Sequence, residues 1–382
     1  MPINQPPFNR RKWLQRATAL TALGSAGVLA QSGRSAAPQG NIVIAQVVDT
    51  SQARQDVSKD FLIGSRAAWQ DLNLRGGIRG RKVQHLVVET DGTPASLRAA
   101  LDTIKANTSC IVMFGSVGDQ IAGHIVELVQ DTIPIMAHVA PWLQNSSLEV
   151  GETSFPIFAA RQEQISHALK TLSVMGVGDL GVVYGINQDY SEYHLEVERI
   201  ATGMQLKLQP FQGNGELRVL GQKLTPGTPA VLLFVGGTPE LAEFTKGLEK
   251  QARQRYIVAL ADVNLQTMLQ MGAARNIPII ATQPVPLVTA SLPIVRSYRE
   301  ALLRLFDEPP TSLGLAGFIA GRYTHEVLKG IEGHLTRQSA MIAFQQRTNM
   351  DIGGFRISFD LRRRSSAYVT QSMMTLDGRL IG

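Results

Sequence analysis

The stretch CIVMFGSVGDQIAGHIVELV, residues 110–129, carries an apolar run through glycine and serine directly into a helical pattern. Its first five residues are typical of a buried strand, and its apolar residues from Ile121 onward recur at helical spacing. Such a junction leaves free backbone N–H groups and the Ser116 hydroxyl at the start of a helix. Because helix N-termini attract negative charge, the stretch predicts an anion-binding site.

The same alternation of strand and helix patterns extends in both directions from this stretch. It begins at about residue 41 and restarts at about residue 159, and each half contains several short apolar runs separated by amphipathic ones. Alternation of this kind favours an α/β fold with parallel sheets covered on both faces, here two doubly wound lobes. In open sheets of this type, ligands lie beyond the carboxyl ends of the strands, so the cleft between the lobes is the predicted site.

The N-terminus has the pattern of an export signal. Residues 8–30 read FNRRKWLQRATALTALGSAGVLA, a basic head followed by an uncharged stretch that is too short to span a membrane. The segment NRRKWLQ resembles the twin-arginine signal, in which an aromatic residue and leucine follow the paired arginines. We therefore predict a signal peptide over 1–30 and a short tail over 31–40. The alternative is a short helix with a basic flank.

The charge of the chain changes once this signal is removed. The whole chain has a formal net charge of +6, and residues 1–30 contain four basic and no acidic side chains, so the mature charge is +2. A protein with that charge has no electrostatic reason to bind nucleic acid. The basic run LRRRSS, residues 361–366, is interpreted as a solvated turn.

Cysteine and histidine usage argues against redox and metal chemistry. Cys110 is the only cysteine, which excludes an intrachain disulfide and leaves no lipid-anchoring cysteine after the signal, so a soluble mature protein is expected. We interpret Cys110 as a small apolar residue at a strand entrance. The seven histidines show no metal-ligand spacing, and no metal or cofactor is predicted.

Two motifs suggest nucleotide binding or catalysis, but each lacks the surrounding sequence that such a function requires. Gly176, Gly178 and Gly181 match a dinucleotide fingerprint, yet a helix precedes them and a strand follows, so they indicate a helix C-terminus. Ser116, Asp119 and His138 fall near adjacent strand ends, as in a hydrolase. The nucleophile elbow requires Gly-x-Ser-x-Gly, and here glycine directly precedes the serine. We therefore predict that the protein is not an enzyme and keep a hydrolase only as an alternative.

The segment that most clearly resembles a known family is DLNLRGGIRGRKVQHLVVETD, residues 71–91. This segment closely resembles periplasmic binding proteins of the branched-chain amino acid type, in which a helix ends in Asn-x-x-Gly-Gly-Ile-x-Gly-x-Lys before an apolar strand. The resemblance continues through FGSVGD, IPIMAHVA, VVYGINQDYSE, VGGTPEL and GGFRISFD, and covers essentially the whole mature chain. It implies two lobes joined by three crossovers. Lobe 1 would comprise 41–158 and about 285–345, and lobe 2 would comprise 159–284 and about 346–382.

The resemblance also implies a ligand site. Ser116, with the nearby backbone at Val117, matches the position that holds the ligand's carboxylate. Val139 and Pro141 follow the fourth strand, where the family makes backbone and hydroxyl contacts; Pro141 stands where threonine is usual, which removes a hydroxyl and an N–H. Three positions in lobe 2 complete the set: Tyr190 matches a tyrosine that closes over the ligand, Thr238 occupies a position often aromatic, and Asp262 roughly matches an acid that pairs with the ligand's amino group.

These matches imply a periplasmic, monomeric receptor that delivers a small carboxylate-bearing solute to ABC transporter permease subunits. Because Val139, Pro141 and Thr238 depart from the amino-acid-binding pattern, branched-chain amino acids are doubtful ligands. Trp142 could stack on an apolar part of the ligand, or it could be a core aromatic under the loop. A ligand-sensing subunit of a membrane sensor remains the competing function.

Overall fold

The computed structural model describes residues 42–51, 55–133, 135–145, 152–359, 368–375 and 380–381. The predicted signal peptide, the tail over 31–40 and the basic run 361–366 lie outside these residues. No helix in the described ranges is both long enough and apolar enough to span a membrane.

Lobe 1 is built on a five-stranded sheet in the order β2-β1-β3-β4-β5, with every neighbouring pair parallel. Its helices connect successive strands, which is the arrangement that alternating patterns predict. The strands are β1 Ile42–Asp49, β2 Val83–Thr90, β3 Cys110–Phe114, β4 Ala137–Val139 and β5 Ser154–Phe155, and the helices are α1 Gln55–Leu74, α2 Pro94–Ala106 and α3 Asp119–Thr132.

Lobe 2 is built on a seven-stranded sheet in the order β14-β13-β10-β9-β8-β6-β7. Strands β6 to β10 are parallel, and the two C-terminal strands add an antiparallel edge. The strands are β6 Asp179–Tyr184, β7 Lys207–Gln212, β8 Val231–Val235, β9 Tyr256–Ala259, β10 Ile279–Gln283, β13 Thr370–Met374 and β14 Leu380–Ile381, and the helices are α4 Arg161–Val174, α5 Asn187–Gly203, α6 Leu217–Lys223, α7 Thr238–Leu248 and α8 Leu265–Gln270. The predicted fold class, α/β with two parallel-sheet lobes, is confirmed.

A third group of elements follows β10 and packs on lobe 1. It consists of α9 Pro293–Leu305, α10 Ser312–Lys329, α11 Arg337–Gln345 and the hairpin of β11 Met350–Ile352 with β12 Phe355–Ile357. Side chains of all five elements share one hydrophobic core with β1, β3 and α1. The hairpin, which follows the predicted boundary at about 345, thus packs with lobe 1 through Ile357, because its buried apolar side chains belong to that core.

Two local predictions have direct structural outcomes. Gly176 follows α4 in the left-handed region (φ +81°), and its N–H donates to the Ser173 carbonyl (3.0 Å). The interpretation of that glycine as a helix C-terminus is therefore confirmed. In the segment 71–91, the Asn73 side chain donates to the Val83 carbonyl (2.7 Å) and accepts from the Val83 N–H (2.8 Å), which ties the end of α1 to the start of β2.

Cys110 lies at the start of β3 and is fully buried. Burial raises the pKa of its thiol to about 11, so the side chain stays a protonated thiol at neutral pH. In that form it is a small apolar residue of the sheet.

Candidate functional site

The two sheets present the residues that follow their strands to each other across a cleft. Two hydrogen bonds join the start of α1 in lobe 1 to lobe 2. The Thr238 hydroxyl donates to Asp56 Oδ2 (2.8 Å), and Asn264 Nδ2 donates to Asp60 Oδ2 (3.0 Å). Burial raises the pKa of Asp60, and hydrogen bonds from Thr311 and Asn264 oppose that rise. The two lobes are thus in direct polar contact at the predicted site.

Ser116 lies in the loop between β3 and α3, and its hydroxyl is engaged inside lobe 1. Its Oγ lies 2.7 Å from His138 Nε2, and Ser116 is fully buried. The backbone is engaged as well: Trp142 N–H donates to the Ser116 carbonyl (2.7 Å), and Gly118 N–H donates to the Trp142 carbonyl (3.2 Å). Val117 forms a parallel β-bridge with Trp142 and is buried. The loops after β3 and β4 therefore extend the sheet beyond its regular strands.

Val139 and Pro141 lie in the same part of lobe 1, where the loops after β3 and β4 extend the sheet. Val139 is fully buried, and its carbonyl accepts from the Gly115 N–H (2.9 Å). Between Val139 and Pro141, Ala140 has a positive φ of 48°, a conformation that is strained for a residue with a Cβ. Its N–H donates to the Phe155 carbonyl (2.9 Å). The strained turn at Ala140 thus connects β4 to the buried Trp142.

The serine and histidine contact does not form a hydrolase triad. The second ring nitrogen of His138 faces Ser154 Oγ at 3.4 Å, and Asp119 does not orient the ring. The Asp119 carboxylate instead accepts the N–H groups of Gln144 (2.5 Å) and Asn145 (2.9 Å). Burial lowers the pKa of His138 to about 3, which is too low for an efficient general base at neutral pH. The geometry therefore gives the hydrolase alternative no support.

The depressed pKa of His138 makes stability depend on pH. The unfolded chain binds a proton near the ordinary value of 6.5, whereas folded His138 binds one only near pH 3, so stability falls as the pH drops through that window. We expect His138→Gln to reduce the acid-side slope of the free energy of unfolding by up to about 1.4 kcal/mol per pH unit. Urea unfolding at a series of pH values between about 4.5 and 7 measures this slope. The exposed His167→Gln is the control, and an unchanged slope in His138→Gln would contradict the prediction.

Tyr190 and Thr238 lie in lobe 2 in different surroundings. The Tyr190 ring stacks on His194 (centroids 4.3 Å apart) and meets Tyr184 edge-on (5.2 Å), so the described contacts of this ring are within its own lobe. Thr238 is buried at the start of α7; besides donating to Asp56, its hydroxyl accepts from the Asn264 N–H (2.9 Å). Thr238 is therefore part of the cross-lobe contact, whereas the described contacts of the Tyr190 ring are with Tyr184 and His194.

Asp262 is buried and paired with a residue that the sequence reasoning missed, Arg161. The guanidinium donates from Nε (2.9 Å) and from a terminal nitrogen (2.5 Å) to Asp262 Oδ2. The same terminal nitrogen lies 3.6 Å from Asp119 Oδ2, and the guanidinium stacks over the Tyr193 ring at 4.2 Å. The sequence carries no local signal for this role, because Arg161 is a single basic residue at the start of a helix and its partner is 101 residues away.

The electrostatics of this cluster follow from burial. Burial raises the pKa of Asp119; Arg161 opposes the rise and Asp262 adds to it. Burial alone would lower the pKa of the Arg161 guanidinium, but Asp262 and Asp119 raise it above its ordinary value. The guanidinium therefore remains charged between its two carboxylates. Among the described residues, no group of three or more His, Cys, Asp and Glu side chains could hold a metal ion.

A small cavity of about 40 Å³ lies beside Trp142 where the lobes meet the hinge. That volume accommodates a few water molecules at most, whereas a cavity of about 410 Å³ lies next to it and shares Asp60, Asn264, Gln266 and Thr311 with it. The Trp142 ring packs against Phe61 and Phe158, with centroids 6.1 and 5.2 Å away, and is 1% exposed. Trp142 is therefore a core aromatic with one face on the cavity. The polar groups that line the cavity are Asp60, Asn264, Gln266, Thr282, Gln283, Thr311 and Ser312.

Comparison with known proteins places this arrangement in context. A family model described as periplasmic binding protein matches residues 41–375. No curated protein sequence matches the chain.

Solved structures share the fold at low sequence identity. An extracellular ligand-binding receptor from Verminephrobacter eiseniae is 16% identical, with a TM-score of 0.82 over 90% of this chain and 100% of that chain. The branched-chain amino acid transporter substrate-binding protein LivJ from Streptococcus pneumoniae, solved with isoleucine, is 13% identical, with a TM-score of 0.78 over 90% and 98%. A fatty acid ABC transporter substrate-binding protein from Thermomonospora curvata is 14% identical, with a TM-score of 0.76 over 89% and 91%. The ligands in these descriptions differ, so the shared fold does not specify a ligand.

Proposed function

Because the chain belongs to the periplasmic binding protein family, we propose that it is an exported, monomeric receptor for an ABC-type permease. It captures a small carboxylate-bearing solute, an amino acid or a related organic acid or amide, and delivers it without altering it. The observation that carries this proposal is the cleft itself: polar side chains that follow the strands of both lobes meet across it.

The mechanism is a hinged clamp. The open form exposes both rims, a solute bridges them, and the closed form is the one that the permease recognises. A micromolar dissociation constant corresponds to about −8 kcal/mol, and each hydrogen bond to a charged group contributes roughly 1.5–3 kcal/mol. A few such bonds together with apolar burial suffice without covalent chemistry.

Export is supported by the sequence of residues 8–30, and delivery to a permease by the family. The mature chain would then meet its solute outside the cytoplasmic membrane.

The carboxylate part of the proposal is tested at Ser116. We expect Ser116→Ala to weaken binding of a carboxylate solute by about 1–3 kcal/mol, because the Ser116 hydroxyl can accept the His138 Nε2 proton and donate its own proton to the solute. The solute is first identified by mass spectrometry of small molecules that copurify with the protein, and its affinity is then measured by calorimetry.

The matched control for this test is Ser154→Ala. Ser154 also contacts His138, at 3.4 Å on the opposite side of the ring. Its substitution therefore perturbs the same histidine but leaves the Ser116 hydroxyl in place. Equal affinities of wild type and Ser116→Ala would remove Ser116 from the site. Chemical turnover of the copurified solute would contradict the receptor function itself.

A further inference from the structure

A cavity of about 410 Å³ lies between the start of α1, helix α8 and the loop that joins α9 to α10. Its volume is within the range of small-molecule sites. The cavity adjoins the one of about 40 Å³ beside Trp142, because Asp60, Asn264, Gln266 and Thr311 line both. The two cavities are therefore neighbouring parts of the same space between the lobes.

The larger cavity has an excess of negative charge. Asp56, Asp60 and Glu308 line it, and among its described lining residues Lys59 is the only cation, so the lining has a formal charge of −2. Within the part of the chain that the structure describes, no ion pair includes any of these three carboxylates.

Other buried carboxylates of this chain are paired with arginine. Asp71 lies beside three arginines, and Asp262 accepts two hydrogen bonds from Arg161. The described donors to Asp60 are instead neutral side chains. Burial raises the pKa of Asp60, and the nearby charge of Asp56 adds to that rise. A cation carried by a solute would supply at Asp60 the partner that arginine supplies elsewhere.

The helix start accounts for only part of this negative charge. Asp56 lies in the first turn of α1, where the helix dipole favours a carboxylate. Asp60 lies four residues further along the same helix face, and like charges at this spacing repel each other. Glu308 belongs to the loop between α9 and α10. A bound cation would relieve the repulsion among the three carboxylates.

The smaller cavity contributes an independent observation. Trp142 lines this cavity and is 1% exposed, yet its indole Nε1 has no acceptor among the described residues. Nearly all buried donors in folded proteins have a partner, so this N–H indicates an acceptor from outside the chain. The cavity is also lined by apolar side chains, among them Val263, Leu265 and Val285. It therefore suits an oxygen acceptor attached to an apolar segment.

We propose that the two cavities form one site for a solute with a positive charge at one end and an oxygen acceptor at the other. Asp56, Asp60 and Glu308 hold the cation, and the Trp142 indole N–H donates to the acceptor. None of these four residues is among the positions that the resemblance assigns to a ligand. The inference rests on the proposed receptor function and narrows its solute to carboxylate- or amide-bearing compounds that also carry an amine or a guanidinium.

The experiment compares compounds that differ in one positive charge: 5-aminopentanoate with pentanoate, lysine with norleucine, and arginine with citrulline, whose urea group has the shape of a guanidinium without its charge. Calorimetry measures the affinity of wild type for all six. We expect wild type to bind the more cationic member of at least one pair about tenfold or more tightly than its partner.

Four variants assign that preference to the site. Asp60→Asn keeps the shape and an acceptor but removes the charge, and should lower the affinity for the cation about tenfold or more. Glu308→Gln should lower it about threefold, because this side chain is exposed. Asp307→Asn is the matched control, since Asp307 is the exposed neighbour of Glu308 and lines neither cavity, and it should bind as wild type does. Trp142→Phe, which keeps a ring but loses the N–H, should weaken both members of a pair about equally.

The inference is overturned if wild type binds each uncharged partner as tightly as its cation, or binds none of the six compounds. An Asp60→Asn variant that keeps the wild-type preference would also overturn it, as would unchanged affinities in Trp142→Phe. Thermal unfolding verifies that each variant is folded. The two proposals fail differently: a copurified solute without a positive charge would overturn only this inference, whereas protein from its natural host that copurifies with no small molecule would count against the receptor function.

Discussion

Gly317→Ala is expected to lower the free energy of unfolding by about 3 kcal/mol. Gly317 lies where α10 crosses α1, and a Cβ built on it would be 2.0 Å from the Phe61 carbonyl oxygen. Both atoms are tied to helix backbones, so no side-chain rotation can relieve the overlap and the helices must move apart. That movement would also shift the start of α1, which carries Asp56 and Asp60 to the cleft. Urea unfolding followed by circular dichroism measures the loss.

Gly203→Ala is the matched control. Gly203 is the last residue of α5, and a Cβ there would have no neighbour within 4 Å. The added methyl group meets open space and reduces backbone freedom in the unfolded chain, so we expect unchanged stability or a gain of up to about 1 kcal/mol. Equal losses at Gly317 and Gly203 would show that the helix crossing has more room than the structure indicates.

Trp142→Ala is expected to cost about 3–5 kcal/mol of stability, the range observed for large aromatic residues removed from cores. The indole packs on Phe61 and Phe158 and links the loop after β4 to the hairpin that completes lobe 1, since Phe158 in turn packs on Phe355. Its removal would leave a void beside the existing cavity. We expect Trp142→Phe to retain part of the stability, because a smaller ring still fills part of that space.

Leu303→Ala provides the comparison for Trp142. Leu303 is 91% exposed, so its truncation removes little buried surface and should change stability by no more than about 0.5 kcal/mol. A loss in Trp142→Ala as small as that in Leu303→Ala would contradict the assignment of Trp142 to the core. Trp142 and Trp69 are the two tryptophans that follow the predicted signal, so fluorescence of a Trp69→Phe variant would report on Trp142 alone.

The sequence predicted positions along the chain for the candidate site residues, but not the contacts that they make. The sequence predicted that Ser116, Thr238 and Asp262 follow strands, and in the structure they follow β3, β8 and β9. It could not show that the Ser116 hydroxyl is engaged by His138, because a contact across 22 residues depends on how two neighbouring strands pair. Val139 and Pro141 were likewise placed after β4 without any indication that this loop joins the sheet.

The amino-acid sequence by itself determined the fold class, because the spacing of apolar residues reports which faces of strands and helices must be buried. It also determined the end of α4 at Gly176, since that glycine's role is set by local backbone geometry. The tertiary structure alone decided which charges meet in the cleft. Arg161 lies 42 residues after Asp119 and 101 residues before Asp262, and only the packing of two lobes brings the three together. Ion pairs formed across such distances leave no periodic trace in a sequence, because they depend on the tertiary fold as a whole.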